Sequence, residues 1–176
     1  YDALLEESGC DIVALGDYYG RRGALAIEAL RRGKHVVSDK PLCTCLDELE
    51  TIRELAASGG LSVGCQLDLR DSPRFRTLRR LVREGCIGEI HAVSFGGQHP
   101  LNYGSRAGWY CEPGKHGGTI NDIAIHACDF IPWVTGLRFV EINAARNWNA
   151  RLREVPHFKD AAQMMCTLEN GAGVLG

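Results

Sequence analysis

The stretch DIVALGDYYGRRGALAIEALRRGKHVVSDKPL, residues 11–42, decides the fold. Asp11-Ile-Val-Ala-Leu-Gly16 is an apolar run of strand length and reads as a buried strand. Gly23 to Arg32 has helical spacing, and Gly33-Lys-His-Val-Val-Ser38 reads as a second strand. Strand, helix and strand in one sheet make a right-handed parallel crossover. Lys40 then falls just past a strand's carboxyl end, and ligands of open α/β sheets bind in that crevice.

Working outward, Thr44 with Asp47 three residues on reads as a helix N-cap. Leu46, Leu49, Ile52 and Ala56 form an apolar face, and Gly59-Gly60 stops the helix. Leu61-Ser-Val-Gly-Cys-Gln-Leu67 is a further short strand. Residues 1–69 are thus expected to be the C-terminal half of a doubly wound α/β sheet, a partial dinucleotide-binding domain. The pattern changes near Asp68 to Ser72. Ser72-Pro73 opens a helix that turns Phe75, Leu78, Leu81 and Val82 to a core and ends at Gly85. Ile90–Phe95, Arg138–Asn147 and Ala162–Leu168 alternate as strands, with a Gly118–Val134 helix between the first two. Residues 70–176 are expected to form an α+β domain with an open, mainly antiparallel sheet. The chain has no initiator Met, and Tyr1 to Ser8 begins inside an amphipathic helical pattern. The strand returning from the Asn170-Gly171 turn stops at Gly176, so a piece of a longer protein is expected.

With Lys+Arg 20 against Asp+Glu 22 and no long apolar run, the composition fits a cytoplasmic globule. It argues against nucleic-acid and membrane partners. Arg70, Arg74, Arg76, Arg79, Arg80 and Arg83 form a basic run, read as a solvated helix face rather than a nucleic-acid patch. Of the eight cysteines, Cys10, Cys65, Cys86, Cys128 and Cys166 lie in apolar patterns and read as small hydrophobes. Cys43-x-Cys45 has no second pair at zinc spacing, so no metal site is expected. Gly171-Ala-Gly-Val-Leu-Gly176 spells a dinucleotide fingerprint, but polar Glu169-Asn170 precede it and the chain ends before any helix. A hairpin turn is the better reading.

Asp122 and His126 stand four apart, so they share a helix face, and Asp129 extends the stripe. A Lys, an Asp and a His from separate segments can handle a proton. A metal held by His116, Asp122 and His126 in a hydrolase is the alternative chemistry for these residue types.

Residues 11–42, GEIHAVSF (88–95) and HGGTINDIAIHACDFIPWVTG (116–136), in this order and spacing, resemble the Gfo/Idh/MocA-type oxidoreductases. These are the glucose–fructose oxidoreductase and inositol dehydrogenase family. The resemblance implies a Rossmann domain binding NAD or NADP, then an α+β domain that builds the substrate site and often an oligomer interface, so a homo-oligomer is expected. It implies that the Gly-rich loop and the ribose-binding acid precede Tyr1, so these 176 residues alone are expected to be inactive. It places the (E/D)KP lysine between nicotinamide and substrate, often before a cis proline, and turns the helix Asp and His toward the same carbon. These roles fall on Lys40-Pro41, Asp122 and His126. Two departures stand out: Asp39 replaces the usual Glu, and Asp17-Tyr-Tyr-Gly-Arg-Arg22 replaces a T-P-x-x-x-H loop.

The function expected is hydride transfer between NAD(P) and a secondary alcohol of a sugar, cyclitol or related polyol. His126 is the base, Asp122 orients a hydroxyl or the imidazole, and Lys40 stabilises the alkoxide or takes the proton itself. Gly16, Asp17, Tyr18, Asp39, Lys40 and Gln66 are the expected cofactor contacts. Arg106, Trp109, Tyr110 and His116 are placed in a sugar subsite by position alone. Redox-assisted glycoside cleavage on the same fold and a non-catalytic sugar-binding or regulatory protein are the alternatives.

Overall fold

The computed structural model describes residues 1–7 and 9–176; Ser8, the end of the amphipathic run from Tyr1, lies outside the described residues. The chain forms two compact units. The first comprises Tyr1–Gln66 and Gly108–Gly117, and the second Leu67–Ala107 and Gly118–Gly176.

In the first unit, α1 (Asp2–Glu7), β1 (Ile12–Leu15), α2 (Tyr19–Arg31), β2 (His35–Asp39), α3 (Leu46–Gly59) and β3 (Val63–Gln66) follow in order. The three strands are parallel in the order β1-β2-β3, with Leu15 opposite Ser38 and Asp39 opposite Gln66. Leu5, Val13, Leu15, Leu25, Ala26, Ala29, Leu30, Val36 and Ile52 form one core. Fully burying a Leu, Ile or Val contributes about 1.5–3 kcal/mol. Ala26 and Ala29 are both wholly buried, so α2 lies close on the sheet.

Several local expectations are corrected. β1 alternates rather than being buried throughout, because the helices cover one face of the sheet and Ile12 and Ala14 lie on the other. α2 starts at Tyr19, so much of the expected Asp17–Arg22 loop is the helix's first turn. α3 starts at Leu46 with Cys45, not Thr44, at the cap position. Leu46 is 78% exposed and takes no part in the helix's apolar face. The α3 end is as expected, with Gly60 left-handed at φ 62°.

The second unit holds α4 (Pro73–Arg83), β4 (Ala92–Ser94), α5 (Ile125–Thr135), β5 (Phe139–Trp148), β6 (Ala161–Leu168) and β7 (Gly173–Leu175). Its sheet runs β4-β7-β6-β5, parallel only between β4 and β7. Met164, Cys166, Leu168 and Val174 pack with Ala124, Ala127 and Ile131. Asn170-Gly171 makes the β6–β7 hairpin, with Gly171 at φ 86° and the Leu168 N–H donating to Ala172 O. The Gly171–Gly176 string is therefore turn and strand, not a phosphate loop.

α4 departs from its expected role. Leu78 and Leu81 are 40% and 37% exposed, and the helix meets α5 through Phe75 and Phe130, edge to face at 4.6 Å. The arginines on and beside it are not merely solvated. Arg70 pairs with Asp129, while Arg79 and Arg83 donate to the carbonyls of Trp133 and Val134 at 3.0 and 2.9 Å. The last carbonyls of a helix lack intrahelical partners, and these cations satisfy two of them while facing the negative end of the α5 dipole. All eight cysteines are free thiols; Cys86 and Cys128 are exposed, whereas Cys166 is buried as expected. Among the described residues, no helix is long and apolar enough to cross a membrane.

Candidate active site

The carboxyl ends of β1, β2 and β3 lie side by side, so Gly16, Asp39-Lys40 and Gln66 follow one another along one edge. No atom stands within 4 Å of where a Gly16 Cβ would project, which leaves that strand end open to a ligand. Lys40 is half-buried, and the Lys40–Pro41 bond is cis. The carboxylate of Asp39 turns back on its own loop. Oδ1 accepts the Lys40 N–H at 2.7 Å, and Oδ2 accepts from Arg22 at 3.1 Å. Asp17 does likewise, accepting from the Tyr18 N–H at 2.7 Å and from Arg21 at 3.1 Å.

Gly108–Gly117 belongs to this unit through tight backbone contact. The Gly20 N–H donates to Lys115 O at 3.0 Å, and a Cβ on Gly20 would stand 2.0 Å from Gly114 O. The segment builds an aromatic platform around buried Tyr19. Trp109 stacks on Tyr110 at 3.9 Å, and Tyr19 meets Trp109 at 5.1 Å and His116 at 5.3 Å. The Lys40 ammonium lies 5.8 Å from the centre of the Tyr19 ring. The first unit thus brings together Asp17, Tyr18, Asp39, Lys40, Trp109, Tyr110 and His116. His116 is only 1% exposed and sits inside the platform.

In the second unit, Gly118 takes φ +90°, where a Cβ would press on the Asn147 side chain at 3.0 Å. The Asn147 amide oxygen accepts the Ile120 N–H at 3.0 Å. The chain then makes a π turn over Ile120–Ala124 before α5, not the continuous α-helix expected. Single π turns inside helices occur frequently at functional sites. Asp122 is buried at 5% exposure, and His126 follows one turn later with its Nδ1 shielded from solvent. His99, from the loop after β4, places Nε2 3.9 Å from Asp122 Oδ1. Arg106 donates to the carbonyls of Leu101 and Pro100 at 3.0 and 2.6 Å and lies over Phe158. Those contacts order its own loop.

Sequence reasoning does not single out Tyr19, Arg22 or His99. Tyr19 and Arg22 lie in the Asp17–Arg22 stretch that departs from the T-P-x-x-x-H pattern. His99, in Gly96-Gly-Gln-His-Pro100, carried the available signal of an imidazole just beyond a strand end.

The two units match known proteins in the same order along the chain. Residues 1–66 match the oxidoreductase family with an NAD-binding Rossmann fold, and residues 75–175 match the GFO/IDH/MocA C-terminal domain. The chain belongs to the GFO/IDH/MocA oxidoreductase family. It is 32% identical over 115 residues to the 1,5-anhydro-D-fructose reductase of Ensifer adhaerens, covering 61% of this chain and 32% of that protein. It is 23% identical over 180 residues to the levoglucosan dehydrogenase of Pseudarthrobacter phenanthrenivorans, covering 99% of this chain and 45% of that protein. The fold also matches an inositol dehydrogenase homolog from Azotobacter vinelandii solved with NAD+, with TM-score 0.87, 24% identity, and coverage of 99% of this chain and 48% of that one. The chain spans less than half the length of these relatives. Both domain types of the GFO/IDH/MocA family are represented in it, including part of the NAD-binding Rossmann domain.

Proposed function

We propose that this chain forms part of an NAD(P)-dependent dehydrogenase acting on a secondary alcohol of a sugar, cyclitol or related polyol. The observation that carries the reading is Lys40 at the carboxyl edge of a parallel sheet whose family binds NAD. The relatives named as acting on anhydrofructose and levoglucosan support the substrate class. Open space at Gly16 and the polar groups of Asp39 and Gln66 on the same edge fit a nicotinamide dinucleotide. Tyr18 and the Asp17 turn border it. When bound, the nicotinamide supplies the two-electron acceptor for alcohol oxidation.

The chain's own residues then handle the proton and the charge. His126 takes the hydroxyl proton, the task for which an imidazole is suited near neutrality. Asp122, buried beside it in sequence on the π turn, accepts a hydrogen bond from a substrate hydroxyl or orients the imidazole. The Lys40 ammonium stabilises the negative charge that develops on the oxygen. Trp109 and Tyr110 offer aromatic surface to a sugar ring, with His116 supporting them and Arg106 ordering the neighbouring loop of its own unit. In the same reading the protein is cytoplasmic, consistent with eight free cysteines. It forms a homo-oligomer through the outer sheet face, where Met165 and Leu175 are 47% and 59% exposed.

The test is a panel of polyols and sugars offered to the full-length protein with NAD or NADP, followed by NAD(P)H absorbance. At least one secondary alcohol should drive reduced-cofactor formation. Silence across the panel with both cofactors contradicts the reading.

A further inference from the structure

Arg22 is the most buried cation of the first unit, only 2% exposed, and it takes no part in the chemistry proposed above. It sits in the first turns of α2, beside the carboxyl edge of the sheet. Its Nε donates to Asp17 O at 2.6 Å, just beyond β1. Its Nη1 donates to Lys40 O and, at 3.4 Å, to Pro41 O, and its Nη2 reaches Asp39 Oδ2 at 3.1 Å. The guanidinium also stacks 4.8 Å from the centre of the Tyr19 ring, the ring that the Lys40 ammonium faces at 5.8 Å.

We infer that Arg22 is a positioning residue for Lys40, holding the Asp39-Lys40-Pro41 turn by its carbonyls so that the ammonium is presented in one place. The inference rests on the assignment of Lys40 to the chemistry. Past the end of a strand, carbonyls lose their ladder partners, and a buried carbonyl needs a donor. A guanidinium carries five N–H donors in a planar fork and stays charged. It can therefore bond the backbone on both sides of the crevice and a carboxylate at once. Lysine, a point charge with three donors, cannot span these acceptors. Asp39 completes the device, since one carboxylate bonds both the Lys40 N–H and Arg22. A short acid at this position is thereby used within the turn, and the Tyr19 ring lies near both cations, 4.8 Å from the guanidinium and 5.8 Å from the ammonium.

A misplacement of about 1 Å can cost about 10²-fold in rate, so the effect should fall on kcat rather than on substrate binding. The experiment uses the full-length protein as wild type, Arg22→Lys and Arg22→Gln, each with its lysines reductively dimethylated with ¹³C. The Lys40 resonance is assigned by its loss in Lys40→Arg. In the wild type it should lie apart from the Lys34 and Lys159 signals. In Arg22→Lys it should shift toward them or broaden, while Lys34 and Lys159 stay in place. On unmodified protein, with a substrate from the panel, Arg22→Lys should lower kcat by about 10- to 100-fold and leave KM within about twofold. If Arg22→Gln does not fold, Arg22→Lys carries the test alone. An unmoved Lys40 resonance with wild-type kcat in Arg22→Lys overturns the inference and leaves the dehydrogenase reading intact. A shifted resonance in a protein that oxidises nothing on the panel supports the positioning role while the dehydrogenase reading fails.

Discussion

The two units secure the side chains proposed for the chemistry by different means. In the first, Lys40 stands outside regular structure, and its turn is held by a side chain from another element, Arg22 on α2. In the second, Asp122 and His126 belong to one continuous helical segment, and the backbone itself sets their spacing through a π turn. A strand-end residue needs an external tie because the ladder ends there. A helical residue inherits its direction from the turn before it. Errors should therefore spread differently: damage around Lys40 should be graded, whereas damage to the helix pair should be nearly all in the side chain replaced.

The largest expected effect comes from the helix. His126→Asn in the full-length enzyme should slow oxidation by about 10²–10⁴-fold, the range for a lost general base. Lys40→Met keeps much of the side chain's length and removes its charge. Its kcat should fall by about 10²–10³-fold, as for a lost electrostatic stabiliser, with cofactor affinity little changed. Near-normal turnover would return Lys40 to an ordinary surface role.

A backbone perturbation sharpens the contrast. Gly20→Ala puts a Cβ where only 2.0 Å separates it from Gly114 O. The Gly108–Gly117 segment must then shift, and Trp109 with it. Tryptophan fluorescence should red-shift and thermal stability should drop by about 1–3 kcal/mol, the cost of overpacking. Unchanged fluorescence and stability would mean that the segment does not rest on α2 as described.

The smallest effect lies in the loop between β5 and β6. The Asp160 carboxylate accepts from the N–H groups of Ala150, Arg151 and Leu152 at 2.6, 2.9 and 2.9 Å. Burial pushes its carboxyl up, but those backbone donors pull it down by more, so it ionises below its ordinary value of 3.8. A carboxyl with a depressed folded value contributes stability that is complete above pH 3.8 and is lost as pH falls through the lower folded value. Asp160→Ala should cost about 1 kcal/mol at neutral pH, and the difference from wild type should shrink in acid below that range. A difference independent of pH would assign the loss to packing instead.

Local signals are legible where local forces decide. The β1–α2–β2 crossover, the Asn170-Gly171 hairpin and the left-handed Gly60 stop all follow from apolar spacing and turn chemistry within a few residues. The family resemblance carried by residues 11–42, 88–95 and 116–136 extends over both matched domains. What is not legible depends on distant partners. Arg79 and Arg83 look like solvated charges until the end of α5 arrives fifty residues later to use them. Gly108–Gly117 shows no periodicity that would assign it to the first unit, because its anchor is a backbone bond to Gly20. The π turn leaves no mark in a pattern read at 3.6 residues per turn. Arg22 reads as the last residue of a strand-end loop, and only the carbonyls of Asp17 and Lys40 around it show what it binds.

The proposed chemistry gives the substrate's proton to His126 and not to Lys40. The most direct measurement is kcat/KM for alcohol oxidation against pH, for wild type and His126→Asn of the full-length enzyme. The wild-type profile should rise through the range where an imidazole titrates, about pH 6.5, and that limb should vanish in His126→Asn. A limb that survives unchanged in His126→Asn would exclude His126 as the base and pass that role to Lys40.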